Sequence, residues 1–365
     1  MEPAPVRWAP RAYPSSPVFS STRMYSSKEI PSAEGNRSLA QVSQWKLSPM
    51  ILVCGEALAD LFVDEGPDSG LTARVTLGGS PLNVAIGLAR LEERAAFCGG
   101  ISSDRFGVAL RRRLESERVV LDYVINSDRL TTISIVTTDS SGQPNYSFHG
   151  EGKADRDVGI DTLPGSLPAD VCALTFGSYT LAVAPVADAY LALARREAAH
   201  RVISVDPNLR PTVTPNLEDW KRRFGAFLSI ADIVKASEED IAVAYGEDAD
   251  IDEVVAGWFA SGPSIVLVTH GGNGATGYLK RGGKFSVPGK PISVIDTVGA
   301  GDTFHAAILS YLNNSGKLSK ERIADLTAPE LARAIDFAVT AAAITCSRQG
   351  ADLPTKAEVA SRIGQ

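Results

Sequence analysis

Asp302 stands in Asp296-Thr297-Val298-Gly299-Ala300-Gly301-Asp302-Thr303-Phe304, where two glycines flank an alanine just ahead of a helical pattern. Glycine admits backbone angles that other residues resist, so the segment reads as a tight turn. Phe304 and Ile308, then Tyr311 or Leu312, recur at helical spacing beyond it. A helix start of this kind carries unpaired N–H donors and about half a positive charge, which suits an anion. A carboxylate placed there has two readings. It is a cap, or it deprotonates a hydroxyl while the N–H groups hold the charge of a transferring group. Ahead of the turn, Ser293 to Ile295 are β-prone and read as a strand.

Other polar residues with chemical potential cluster after apolar runs. Gly55-Glu56-Ala57-Leu58-Ala59-Asp60 follows the first such run, where open α/β sheets place ligand contacts. Asp60 reads either as a loop acid or as an acceptor for two sugar hydroxyls, since an ionised carboxylate only accepts. In Gly78-Gly79-Ser80-Pro81-Leu82-Asn83, Ser80 is expected to cap a helix and Pro81 to begin it. Capping leaves Gly78, Gly79 and Asn83 unexplained. Two glycines allow a ligand close to backbone N–H, and Asn83 can both donate and accept. In Gly99-Gly100-Ile101-Ser102-Ser103-Asp104, Asp104 is expected to cap the following helix.

Asp206-Pro207-Asn208-Leu209-Arg210 ends another apolar run, and Arg210 suits phosphate. Lys235-Ala236-Ser237-Glu238 predicts a helix capped by Ser237. Thr269-His270-Gly271-Gly272-Asn273-Gly274-Ala275-Thr276-Gly277 is rich enough in glycine for a nucleotide to lie against its backbone, but no Gly-Lys-Ser/Thr ends it.

These loops need a frame. Strands are expected at Ile51–Cys54, Val171–Phe176, Val202–Val205, Ile233–Lys235 and Ile265–Thr269. Helices are expected at Val183–Ala199, Glu218–Leu228, Glu238–Tyr245 and Ile251–Ala260. Alternation of short strands and longer helices implies an α/β layered fold with a mainly parallel sheet and helices on both faces. Leu61–Leu77 and Thr131–His149 break that rhythm. The second alternates Ile133, Ile135 and Tyr146, Phe148 around Ser141-Gly142, as a hairpin does. Both are candidates for a small β-lid over a substrate, the other reading being an ordinary surface flap.

With 365 residues and 44% hydrophobic content, the chain can bury a large core. A net charge of −7 gives no support for nucleic acid or anionic membrane as partner, and no apolar run reaches the roughly 18 residues of a membrane span. Cys54, Cys98, Cys172 and Cys346 lie far apart and read as reduced thiols of a cytoplasmic protein. The four histidines show no zinc spacing, and no G-x-G-x-x-G marks a dinucleotide site. Residues 1–49 are rich in Ser, Pro and Arg and read as a disordered or non-native extension ahead of a folded unit at 50–365, with an organellar transit peptide as the alternative.

Taken together, from Met50 to about Thr355, the chain resembles the PfkB, or ribokinase-like, carbohydrate kinases. Two signatures carry the likeness: the region of Gly78 to Asn83 with Gly99 to Gly107, and Asp296 to Phe304. The resemblance implies an ATP-dependent kinase in which Asp302 is the base and Gly299, Ala300 and Gly301 form the anion hole. Asp60, Gly79 and Asn83 match sugar-binding positions, and Asn208 and Arg210 stand at the same edge. Thr269, Gly271 and Gly274 match the nucleotide loop. Lys235 and Glu238 match an Asn-x-x-Glu element near Mg²⁺ and the phosphates. Lys235 departs from the commoner Asn, which favours a charge contact to ATP over a metal-water contact. Asp296 and Val298, with the 348–351 turn, match a monovalent-cation site, so K⁺ joins ATP and Mg²⁺ as an implied cofactor. The lids imply a homodimer. Tyr146–Arg156 and the Asp60 and Asp206 loops resemble fructokinases most. D-fructose is therefore the expected substrate, with 2-keto-3-deoxygluconate, ribose or a catalytically silent sensor as alternatives.

Overall fold

The computed structural model describes residues 48–65, 70–138 and 144–363. The expectation for residues 1–49 therefore falls outside them except at 48 and 49, and so does the Ser141-Gly142 turn. In chain order the first half comprises β1 (Met50–Cys54), β2 (Leu58–Glu65), β3 (Leu71–Gly78), α1 (Ser80–Arg90), β4 (Arg94–Cys98), β5 (Gly100–Ser102), α2 (Arg105–Ser116), β6 (Ile125–Ser127), β7 (Ile133–Thr138), β8 (Pro144–His149), β9 (Val171–Gly177) and α3 (Val186–Glu197). The second half comprises β10 (Val202–Asp206), α4 (Leu217–Leu228), β11 (Ile233–Ser237), α5 (Glu238–Tyr245), α6 (Ile251–Ser261), β12 (Ile265–Thr269), β13 (Ala275–Leu279), β14 (Lys284–Val287), α7 (Ala300–Asn314), α8 (Lys320–Ile323), α9 (Ala328–Cys346) and α10 (Lys356–Ile363).

The main sheet runs β14-β13-β12-β11-β10-β9-β1-β4. From β12 to β4 its neighbours are parallel, and β13 and β14 close one edge antiparallel. Its central strands are buried on both faces, as near-continuous apolar runs require. Successive β1 residues show the layering: Ile51 and Val53 join a core with α1, α7 and α9, while Met50, Leu52 and Cys54 join one with α3, α4 and α6. Side chains alternate across a strand, so one sheet fills two cores. The second core is dense in aromatic rings, with Trp220 stacked on Phe224 at 4.9 Å and Trp258 edge-on to Phe224 at 5.5 Å.

The two segments that interrupt the rhythm form a second sheet, ordered β3-β2-β7-β8. β2 pairs antiparallel with β3 and parallel with β7. Of these, β2 begins at Leu58 and β7 at Ile133. Asp60 therefore belongs to a strand rather than to a loop.

One expected strand is absent. Ser293–Ile295 finds no sheet partner, and Val294 and Ile295 are about two-thirds exposed, at 61% and 65%. The N–H groups of Ile295 and Asp296 instead meet the Cys346 carbonyl at the end of α9, at 2.8 and 3.3 Å. β-propensity describes a residue's fit to a paired surface, and here the end of α9 rather than a neighbouring strand takes the segment's N–H groups.

Candidate active site

Helix α7 begins where Gly299 adopts a left-handed φ of 79°. The turn is close-packed, since a Cβ on Gly299 would stand 2.7 Å from that of Ala351. Ala300 gives its N–H to Thr297 at 3.2 Å, which removes one donor from the expected anion hole. The N–H groups of Gly299 and Gly301 meet no acceptor among the described residues.

Asp302 follows in the first turn and is 8% exposed. It does not cap its own helix. Its Oδ1 accepts from the Ser80 hydroxyl at 2.6 Å and its Oδ2 from Asn83 Nδ2 at 2.8 Å. Two ends of the sequence thus meet on one carboxylate. Burial pushes Asp302 up from the ordinary aspartate range, with the Ser80 and Asn83 hydrogen bonds acting in the opposite direction. An ionised carboxylate offers about four acceptor sites, so two remain open.

Ser80 therefore does not cap α1 as expected. Gly79, at φ 114°, precedes the helix, and the Ser80 side chain turns to Asp302 instead. Gly79 cannot carry a side chain, because a Cβ would lie 2.8 Å from the Glu56 carbonyl oxygen. Asp60 on β2 sits over the neighbouring Gly78, where a Cβ would fall 2.4 Å from its Oδ2. Burial raises Asp60 to about 6 despite the Ser134 hydroxyl.

Lys235 ends up 4% exposed, between β10 and the α7 turn. Its Nζ donates to Asp206 Oδ2 at 2.9 Å and would lie 3.0 Å from a Cβ on Gly301. Burial alone would lower Lys235, but the Asp206 and Asp240 charges raise it overall, so the ammonium persists. Asp206 is held below its usual range because Lys235, then His305, outweighs its burial.

The remaining expected positions divide. Asn208 takes a left-handed φ of 37° just past Asp206, while Arg210 is exposed and bonds the Leu209 carbonyl. Ser237 and Asp104 cap their helices as expected. Glu238 Oε2 is 2.8 Å from His270 Nδ1. Thr269 ends β12, and Gly271 and Gly274, at φ 52° and 99°, turn the chain into β13. Asp296 accepts from Val298 N–H at 3.0 Å and from Gly350 N–H at 2.8 Å, which joins the α7 turn to the 348–351 turn.

Glu56, His270 and His305 carry contacts that their local sequence did not announce. Glu56 is 1% exposed, and its Oε1 accepts the Ser80 N–H at 3.3 Å. Burial chiefly, with Asp155 and Asp302 adding to it, lifts Glu56 to about 8, against its own backbone N–H and the Ser178 hydroxyl. The folded state then holds a proton that the unfolded chain releases near 4.5, so this group's contribution to stability falls as pH rises from about 4.5 to about 8. Glu56→Gln is expected to flatten that slope. Thermal unfolding of both proteins at pH 5 and pH 9 checks this, and parallel pH profiles would contradict it.

The pfkB family carbohydrate kinase model matches residues 48–358. A fructokinase of Rhizobium leguminosarum bv. trifolii is 39% identical over 277 residues, 76% of this chain and 84% of the relative. Among solved structures, a fructokinase with bound ATP from Xylella fastidiosa superposes with a TM-score of 0.79 at 27% identity, covering 86% of this chain and 98% of that one. A Vibrio cholerae fructokinase in fructose, ADP and calcium ion bound form gives 0.71 at 26% identity, covering 86% and 99%.

Proposed function

This chain belongs to the pfkB family of carbohydrate kinases and is an ATP-dependent carbohydrate kinase, and from that premise we propose that it phosphorylates D-fructose with Asp302 as the base. The observation that carries the reading is the buried Asp302 carboxylate. It is gripped by Ser80 and Asn83 on one side and has the Lys235 ammonium across Gly301 on the other. The names of the fructokinase relatives support fructose as acceptor.

In this reading the sugar hydroxyl attacks the γ-phosphorus of ATP, a new O–P bond forms, and the bond to the ADP oxygen breaks. Asp302 accepts the hydroxyl proton. Its raised affinity for a proton fits the task, because a base works best when its pKa nears the working pH. The Gly299 and Gly301 N–H groups and Lys235 face the charge on the transferring group. Phosphoryl transfer requires positioning and charge neutralisation more than covalent chemistry.

Asp60, Gly79 and Asn83 are assigned to the sugar. Asn208 and the exposed Arg210 are assigned to the rim of the same site. The sheet of β2, β3, β7 and β8 is assigned as the lid that excludes water, and the nucleotide is assigned to the Thr269–Gly274 turn. Among the described residues no group of three or more His, Cys, Asp or Glu side chains could hold a metal. Glu238 has one oxygen bonded by His270 and a half-exposed side chain, so its other oxygen would be free to hold a hydrated Mg²⁺. Mg²⁺ bound there would supply charge neutralisation. The contact of Asp296 with Gly350 brings together the two segments implied for K⁺ and supports Asp296 and Val298 as its site.

The test is a comparison of kcat/KM for D-fructose, ribose and 2-keto-3-deoxygluconate with ATP and Mg²⁺, with and without K⁺. Fructose is expected to lead, with K⁺ raising its rate. Preference for another sugar overturns the substrate assignment, and no ATP consumption with any sugar overturns turnover itself.

A further inference from the structure

Lys235 is in an electrostatically awkward place. Its Nζ lies beside Gly301, at the positive end of the α7 dipole, where a cation is disfavoured. A buried lysine also tends to lose its proton or turn toward solvent. Some other charge must hold it. Asp206, 2% exposed at the end of β10, provides that charge through Oδ2 at 2.9 Å.

Asp206 is in turn approached by His305, 1% exposed on α7, whose Nδ1 is 3.6 Å from the same Oδ2. The His305 ring is fixed from the other side, with Nε2 2.8 Å from Ser204 Oγ and 3.4 Å from Thr175 Oγ1. β9, β10, β11 and α7 thus converge on one buried ion pair. Among the described residues neither Asp206 Oδ1 nor His305 Nδ1 has a hydrogen-bond partner, and both residues border a cavity of about 10 Å³, room for about one water. None of these groups bonds Asp302 directly.

We propose that Asp206 and His305 are positioning residues that hold the Lys235 ammonium at Gly301, so that it meets the phosphoryl group during transfer. The inference rests on the kinase reading for what Lys235 does, but not for where Lys235 is held. Asp206 supplies the countercharge. His305, rooted in β9 and β10 yet carried by α7, ties that countercharge to the helix that presents Asp302.

A double-mutant cycle separates this role from a merely structural one. Asp206→Asn keeps the shape and removes the charge. In the otherwise natural protein it is expected to lower kcat about ten- to a hundredfold, with little change in KM for the sugar. In a Lys235→Met background the same change is expected to cost less than about threefold, because no ammonium is left to position. Equal losses in both backgrounds would overturn the proposal. His305→Gln is the milder companion should Asp206→Asn fold poorly, with a smaller loss expected that also vanishes without Lys235; an undiminished loss there overturns the proposal as well. A crystal structure of Asp206→Asn or His305→Gln with ADP reads the same point without turnover. Lys235 displaced from Gly301 supports the inference, and Lys235 unmoved contradicts it. Absence of kinase activity in the natural protein would instead sink the kinase reading alone.

Discussion

Asp302→Asn is expected to lower turnover by about 10²- to 10⁴-fold, the usual contribution of a positioned general base. ATP and sugar binding are expected to survive. The replacement fits its surroundings, because the Asn oxygen can accept from Asn83 while its amide donates to Ser80, whose hydroxyl both donates and accepts. Burial already disfavours charge at this position, so a neutral side chain is no burden to the fold. The same burial has a pH signature. Turnover by the natural protein is expected to fall on the acid side at a pH above the ordinary aspartate range, as Asp302 takes up its proton, and this limb is expected to be missing from the residual activity of Asp302→Asn. Rate profiles of the two proteins, with binding followed by calorimetry, check both points. Near-natural turnover in the variant would remove Asp302 from the base role.

Lys235→Met carries the second large effect, and it acts on two quantities at once. Loss of a preorganised cation facing the transferring charge is expected to lower kcat by about 10²- to 10³-fold. Removal of one partner from a buried ion pair is also expected to destabilise the fold by about 3–5 kcal/mol, since Asp206 is left charged and buried. Adding Asp206→Asn is expected to restore much of the stability and none of the activity. Denaturant unfolding beside steady-state kinetics resolves the two. If stability and activity recover together, Lys235 serves the fold and not the chemistry.

Much of this site was legible in the chain because its motifs are local. Glycine spacing around Ala300 marked the turn, and the alternation of strands and helices marked the layered sheet. The contacts on Asp302 were not legible. Ser80 lies 222 residues away and looks like a routine cap, and only the meeting of α1 with α7 shows where its hydroxyl points. The Asp206–Lys235 pair depends on β10 and β11 being neighbours in the sheet, an adjacency that local pattern does not encode. His305 reads as an isolated histidine in sequence and becomes a partner of Asp206 only through α7 packing on β10. Ser293–Ile295 failed as a strand for the converse reason. Its residue types suit a sheet, but the end of α9 takes its N–H groups instead.

Transfer of the γ-phosphoryl group of ATP onto a hydroxyl of fructose is read directly by ³¹P NMR of the protein incubated with ATP, Mg²⁺, K⁺ and D-fructose. A fructose phosphate ester and ADP are expected to appear in equal amounts. ATP converted to ADP and free phosphate with no ester, or no conversion at all, would contradict it.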